Sequence, residues 1–359
     1  MSSALPTASP PPESVCLLRL SALGDCMNVV PVVRSMQASW PEMKLTWLIG
    51  AAAMPLLGDL PGVDFVVYDK RSGRRGRRAL AATLHERRFG ALCFMHAGMR
   101  ANLVSRAVPA GRRIGFNRER SRDLHGLFVN ERIAAPAGRH VLDGFFGFAE
   151  HLGLRERRLD WTLPVCDEDR RAVDALLDNE QKPVLAICAR SSNPNRDWLA
   201  DRYAAVADFA QQTLNCAVVL VGSPEASHRQ MADAIKGHMT TQAHDLVGRT
   251  SLKQLYELLR RVQVLVVPDS GPAHFANAGQ AAVIGLYACS ESARSGPYNS
   301  LRWCVDRFDQ AARALRGKSA RELPWGAKLE KPGVMAMIET EHVLARLEAW
   351  HEEHHHSGA

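Results

Sequence analysis

Residues 264–275, Val-Leu-Val-Val-Pro-Asp-Ser-Gly-Pro-Ala-His-Phe, decide how the rest of the chain is read. Val264, Leu265, Val266 and Val267 make a short apolar run with no polar face, the pattern of a strand buried on both sides. Pro268 ends it, and Asp269, Ser270 and Gly271 supply turn chemistry. Pro272 then opens an apolar helical stretch, 273–278, where its missing N–H costs nothing because first-turn N–H groups have no intrahelical partner. A strand that turns through glycine into a helix offers backbone N–H groups and the positive end of a helix dipole, a seat suited to phosphate. Asp269 and His274 add a carboxylate and an imidazole at the same turn. Taken alone, the stretch is equally an ordinary strand–turn–helix with a capping aspartate.

Working outward, the same alternation recurs. Residues 184–188 read as a strand, followed by the polar loop 190–197 and a helix over 199–213. A strand over 217–221 ends in Gly222-Ser223-Pro224-Glu225 and leads into a helix that runs through Ile235. A short strand covers 245–247, Ser251 caps a helix over 252–261, and 283–287 is the strand after the opening stretch. The first half has the same form. A strand over 15–20 turns through Ser21-Ala22-Leu23-Gly24-Asp25 into a helix over 26–39, with Val29, Val30, Val33 and Met36 at helical spacing. Strands over 45–49, 63–68 and 91–95 follow, with a short helical segment containing Met54 and Leu56 and helix signals over 79–88. Residues 98–135 are less regular. A strongly amphipathic helix spans 138–154 through Val141, Leu142, Phe145, Phe148 and Leu152.

Strands alternating with helices predict an α/β protein whose parallel sheets are covered on both faces, with ligands at the carboxyl ends of the strands. At 359 residues, two domains are expected. The reading places a flexible arm at 1–14, a first domain at 15–165, a linker plus one helix (167–178) across 155–182, and a second domain at 182–325. A C-terminal helix at 336–350, expected to pack back on the first domain, precedes a His- and Glu-rich end. Asp167-Glu168-Asp169 has the look of a metal-binding D-x-D, but acids at a helix N-terminus favour the macrodipole, and that reading is preferred.

Composition bounds the function. With 46% hydrophobic and 23% charged residues the chain is ordinary for a soluble protein, and no apolar run is long enough to span a bilayer. The start lacks the basic and apolar regions of a secretion signal. Eight cysteines are scattered with no C-x-x-C pair, which favours a reducing, cytoplasmic setting over a disulfide framework or zinc cage. The net charge of +7 is concentrated. Lys70, Arg71, Arg74, Arg75, Arg77, Arg78, Arg87 and Arg88 crowd one segment, and Arg112, Arg113, Arg118, Arg120 and Arg122 another. Such clusters point to an anionic partner, whether nucleic acid, acidic lipid or a phosphorylated substrate, or else to a merely solvated face. Nucleic acid is disfavoured: helix-turn-helix, zinc-finger and ribonucleoprotein patterns are missing, and aromatics are only 6%.

Several blocks in order carry a resemblance. They are Arg19 to Asp25 with Pro31 following, 140–154 ending in Leu-Gly-Leu, Arg190-Ser191-Ser192 with Arg196 and Trp198, Gly222 to Glu225, Asp269 to His274, and Ser295-Gly296-Pro297-Tyr298. Over roughly residues 15–350 the chain resembles glycosyltransferase family 9, the ADP-heptose:lipopolysaccharide heptosyltransferases. The resemblance implies the GT-B arrangement, two Rossmann-like domains with parallel sheets facing a central cleft. It also implies inverting transfer of heptose from ADP-L-glycero-D-manno-heptose to the lipopolysaccharide inner core (Kdo-lipid A or heptosyl-Kdo), with no metal and no cofactor beyond the donor.

The residues fit that chemistry independently. Glycosyl transfer from a sugar nucleotide needs a seat for the diphosphate, a base for the acceptor hydroxyl and a grip on the acceptor. The resemblance makes Asp25 the general base. It assigns the donor to Ser191, Ser192, Arg196, Glu225, Thr250, Asp269, Ser270, Gly271, Pro272 and His274. The anionic acceptor falls to Arg71, Arg74, Arg75, Arg77, Arg78, Arg118, Arg120 and Arg122, with peripheral attachment to the inner face of the cytoplasmic membrane. Arg196 stands where the family often has Lys, and Thr250 replaces bulkier apolar choices. These departures leave open another nucleotide sugar or a later core acceptor. Simpler roles also stand: Asp25 as a helix cap, Glu225 as a helix-start acid, His274 as a packed structural histidine. A non-catalytic sugar-nucleotide-binding protein is opposed by Asp25. A Ser270–His274 hydrolase lacks the G-x-S-x-G elbow, and a nicotinamide oxidoreductase lacks G-x-G-x-x-G.

Overall fold

In the first half the apolar runs become a six-stranded parallel sheet. Its strands are β1 (Ser14–Arg19), β2 (Lys44–Gly50), β3 (Val63–Tyr68), β4 (Phe89–Phe94), β5 (Ala110–Gly115) and β6 (Glu131–Arg132), in the order β3-β2-β1-β4-β5-β6. The computed structural model describes residues 11–177, 180–279 and 281–355; most of the expected N-terminal arm and the last residues of the tail lie outside them. The second half repeats the pattern with β7 (Val184–Ile187), β8 (Ala217–Leu220), β9 (His244–Asp245), β10 (Val264–Pro268), β11 (Ala282–Tyr287) and β12 (Val305–Asp306). The order β9-β8-β7-β10-β11-β12 is the same winding. Each sheet therefore reverses its strand order once, between β1 and β4 and between β7 and β10, and such switch points are where open α/β sheets bind ligands.

Burial follows the reading of the opening stretch. All five residues of β10 are buried, as a central parallel strand requires. Gly50 at the end of β2 has a steric reason: a Cβ there would lie 2.1 Å from the Leu20 carbonyl oxygen at the end of β1. Among the described residues no helix is long and apolar enough to cross a membrane.

Four differences from the sequence reading have physical causes. The helix expected over 26–39 is two, Leu23–Met27 and Val30–Ser39, because Pro31 is accommodated only in a first turn. Helix Met99–Ser105 and strand β5 fall in the stretch 98–135, read as less regular because its arginines mask the apolar pattern, and helix Phe308–Arg316 lies where no element was assigned. The chain divides between Leu163 and Pro164, so the helix Asp167–Leu177 joins the second unit instead of a linker. There Arg261 pairs with Asp174, and Lys253 Nζ donates to the Pro164 carbonyl at 2.6 Å. Finally, the closing helix Thr340–His355 belongs to the second unit. Val343, Leu347 and Trp350 are buried in the core of the second unit, beside Ile338, whose carbonyl accepts from Trp198 Nε1 at 2.8 Å.

Candidate active site

In the first unit the carboxyl ends of β1 and β4 meet at the switch point. Asp25 is the third residue of the helix Leu23–Met27; the cap is Ala22, which has no side chain to cap with. The cap role weighed for Asp25 is therefore not the one it plays. Its Oδ2 is ion-paired with Arg19, the last residue of β1, and the side chains are 28% and 12% exposed. Arg19 also donates through Nη1 to the Met95 carbonyl at 2.8 Å and lies 5.2 Å over the Phe145 ring. The carboxylate is thus fixed yet open to solvent.

His96 completes this group. Its Nδ1 accepts from the Leu20 backbone N–H at 3.3 Å, which places the ring proton on Nε2. Burial, and then the neighbouring Arg19 guanidinium, pushes His96 down to about 3, so the ring is neutral at physiological pH. Neither Arg19 nor His96 was singled out from sequence as a site residue. The signal available was position: both are polar residues at the ends of strands that turn out to flank the switch.

The two basic clusters separate by role. Arg71, Arg74, Arg75 and Arg78 are exposed and Arg77 half-buried along the turn after β3 and the helix Gly73–Leu84. Arg71 pairs with Asp69, while Arg74, Arg75, Arg77 and Arg78 have no acidic partner among the described residues. The second cluster is largely internal. Arg112 forms a fork with both Glu131 oxygens (2.9 Å each), which with His151 holds that carboxyl at about 2. Arg113 donates to the Ser105, Val108 and Phe128 carbonyls. Arg120 is a correction: only 6% exposed, it donates to the carbonyls of His140 (3.0 Å) and Gly138 (2.7 Å), and so staples a loop where an acceptor contact was expected. Arg118 and Arg122 remain exposed, the latter tied through Nε to the Ala97 carbonyl.

In the second unit the loops after β7 and β10 meet in the same way. Asp197 holds the first loop by pairing with Arg190 and accepting from the Ser191 N–H at 2.7 Å. The Ser191 hydroxyl is buried and spent on the Asn193 carbonyl at 2.7 Å, whereas Ser192 is exposed. Arg196, in the turn Pro194–Arg196, is brought to Asp269 at the end of β10, Nη1 to Oδ2 3.5 Å. Ser290 Oγ fixes the same Oδ2 at 2.6 Å. Ser270 caps the short helix Gly271–Ala276 by position only; its Oγ is buried and has no partner among the described residues. Pro272 sits in the first turn as expected, and His274 is buried. Glu225 occupies the cap position of the helix Ala226–His238 without a capping hydrogen bond, so its exposed carboxylate is not consumed there. Thr250, half-buried, precedes Ser251, which forms a capping box with Gln254.

Glu330 and Lys328 join this group without any signal in the sequence. Glu330 Oε1 accepts from Arg196 Nε at 2.9 Å and Nη2 at 2.5 Å, and Lys328 Nζ lies 3.6 Å from the same oxygen. The second unit thus gathers two cations, two carboxylates and an unpaired hydroxyl at one switch point. The first gathers a held carboxylate and a neutral imidazole. Phosphate binding and proton abstraction are the chemistries these sets suit.

The family model described as glycosyltransferase family 9 (heptosyltransferase) matches residues 77–325. The lipopolysaccharide core heptosyltransferase OpsX of Haemophilus influenzae is 36% identical over 343 residues, 96% of this chain and 98% of that one. Among solved structures, a family 9 glycosyl transferase from Veillonella parvula superposes with a TM-score of 0.76 at 20% identity, covering 95% of this chain and 97% of its own. The ADP-heptose lps heptosyltransferase II of E. coli gives 0.67 at 20% identity, with 95% and 99% covered. At these identities the structural likeness speaks to fold, and the fold is the expected GT-B pair of Rossmann-like sheets.

Proposed function

Because this chain belongs to glycosyltransferase family 9, we propose that it moves heptose from ADP-L-glycero-D-manno-heptose to the lipopolysaccharide inner core, with inversion and without a metal. The observation that carries this reading is the grouping of Arg196, Asp269 and the partnerless buried hydroxyl of Ser270 at the β7–β10 switch point. A buried hydroxyl without a partner costs about 1–3 kcal/mol, a cost that a diphosphate oxygen arriving at the turn removes. Arg196 supplies a planar fork to the same group. Glu225 and Thr250, at the ends of β8 and β9, receive the nucleoside, the carboxylate accepting from the ribose hydroxyls.

Asp25 takes the proton of the acceptor hydroxyl as that oxygen attacks the anomeric carbon opposite the departing diphosphate. Attack from the far side inverts the configuration. Arg19 orients the carboxylate, and neutral His96 is available as a hydrogen-bond donor through Nε2. The exposed arginines after β3 bind the acceptor's phosphates and sugar carboxylates. They also hold the enzyme to the anionic inner face of the cytoplasmic membrane, each well-placed cation contributing about 1 kcal/mol.

The test is an ADP-release assay with purified protein, ADP-heptose and core acceptors that carry or lack the first heptose. ADP formed only with the acceptor lacking heptose assigns the first transfer; ADP formed only with the heptosylated acceptor assigns the second. ADP formed with neither overturns the donor and acceptor named here, and the same assay with other nucleotide sugars and later core acceptors then identifies the pair used.

A further inference from the structure

The Arg196 fork that is to receive a diphosphate is already occupied. Glu330 Oε1 takes both Nε and Nη2, the two donors that would grip one phosphoryl group side by side. Glu330 comes from an irregular segment late in the chain that is laid across the carboxyl end of the second sheet. The Leu329 N–H donates to the Cys289 carbonyl at 2.8 Å, and Asn195 Nδ2 donates to the Glu330 carbonyl at 3.3 Å. The backbone is therefore anchored, and the carboxylate itself is shared between Arg196 and the Asn193 side chain.

Two carboxylates face Arg196, and they are not equivalent. Asp269 is held by Ser290 at the end of a buried strand and is 13% exposed, so it has nowhere to go. Glu330 has a longer side chain, is 27% exposed, and already lies within 3.6 Å of a second cation, Lys328 Nζ. A diphosphate brings at least two negative charges to the same guanidinium, and like charges sharing one fork repel strongly where water is partly excluded. One anion must leave, and only Glu330 has both the freedom and an alternative partner.

We propose that Glu330 is an internal competitor for the donor's diphosphate: it occupies Arg196 in the empty enzyme and passes to Lys328 when the nucleotide binds. This rests on the diphosphate seat proposed above. The exchange keeps Arg196 oriented between turnovers and sets an upper limit on the affinity for ADP, the product that must depart.

Calorimetric titration with ADP tests it. Wild-type protein is expected to bind ADP, and a wild type that does not bind overturns the nucleotide seat itself. Given binding, Glu330→Gln, which keeps the shape and loses the charge, is expected to bind ADP about tenfold more tightly. Glu330→Asp, which withdraws the carboxylate by one methylene, is expected to shift affinity in the same direction. Unchanged or weaker binding in both overturns the competitor role, since a merely structural glutamate gives no gain. Lys328→Met is expected to weaken ADP binding severalfold in the wild-type background and to have no effect when combined with Glu330→Gln. A penalty that persists in the double variant overturns the exchange, because Lys328 would then act on the nucleotide directly.

Discussion

Arg19 and Asp25 are joined across the turn that links β1 to its helix, and the same guanidinium is anchored to the Met95 carbonyl at the end of β4. One arginine thus spans the two strands of the switch point and sets the direction of the carboxylate. Lysine has the charge but not the fork and cannot serve both partners. Arg19→Lys is expected to lower kcat about tenfold or more with ADP affinity unchanged. A variant with wild-type kcat would show that Asp25 needs no such support.

Asp25 itself is expected to be indispensable to turnover and irrelevant to nucleotide binding, because the residues proposed for the nucleotide all belong to the second unit and Asp25 to the first. Asp25→Asn preserves size and removes the basic oxygen. Loss of a general base typically costs about 10²- to 10⁴-fold in rate. Steady-state kinetics should show that drop, while calorimetry shows an ADP dissociation constant within about twofold of wild type. Retained kcat would sink the assignment.

What the sequence made legible, and what it did not, follows from the range of the interactions involved. Strands β1, β7 and β10 could be placed because their apolar runs are continuous, which is what a doubly covered parallel strand requires. Strand β5 hid behind Arg112 and Arg113, residues that look like surface charge until Glu131 and three carbonyls are seen to pair with them. Arg120 misled for the same reason. Asp25 and Arg196 announced themselves through local turn motifs. Glu330, by contrast, reaches Arg196 across 134 positions from a segment with no periodicity, and nothing local in the chain encodes that meeting.

The two kinds of arginine should separate cleanly by experiment. Arg120→Met leaves the Gly138 and His140 carbonyls without their donor and is expected to destabilise the protein by about 2–4 kcal/mol, read by denaturant melts. Arg75→Ser removes a solvated charge and should change stability by less than about 0.5 kcal/mol. Its effect is expected in binding: weaker association with anionic vesicles and acceptor, and a shallower dependence on salt. The reverse pattern, with Arg120 neutral and Arg75 structural, would undo the division of the clusters drawn here.

Acid should loosen the first unit, and His96 identifies why. Its ring is held near 3 against an ordinary value of 6.5, chiefly by burial and then by Arg19. Below about pH 6.5 the unfolded chain takes up a proton that the folded chain refuses. The stability that neutral His96 contributes is therefore complete above that pH and is lost progressively as the pH falls toward 3. Glu131 acts in the same direction over a lower window. Held at about 2 chiefly by the Arg112 fork, against an ordinary 4.5, it contributes stability above 4.5 that is lost as the pH falls toward 2. Between pH 6.5 and 5 the histidine effect dominates, on the order of 2 kcal/mol. The melting temperature of the wild type should fall across that range, and His96→Gln, which cannot take up a proton, should fall less steeply. Equal slopes in the two proteins would mean that the folded protein takes up the proton as readily as the unfolded chain does, which would overturn the depressed value described for His96.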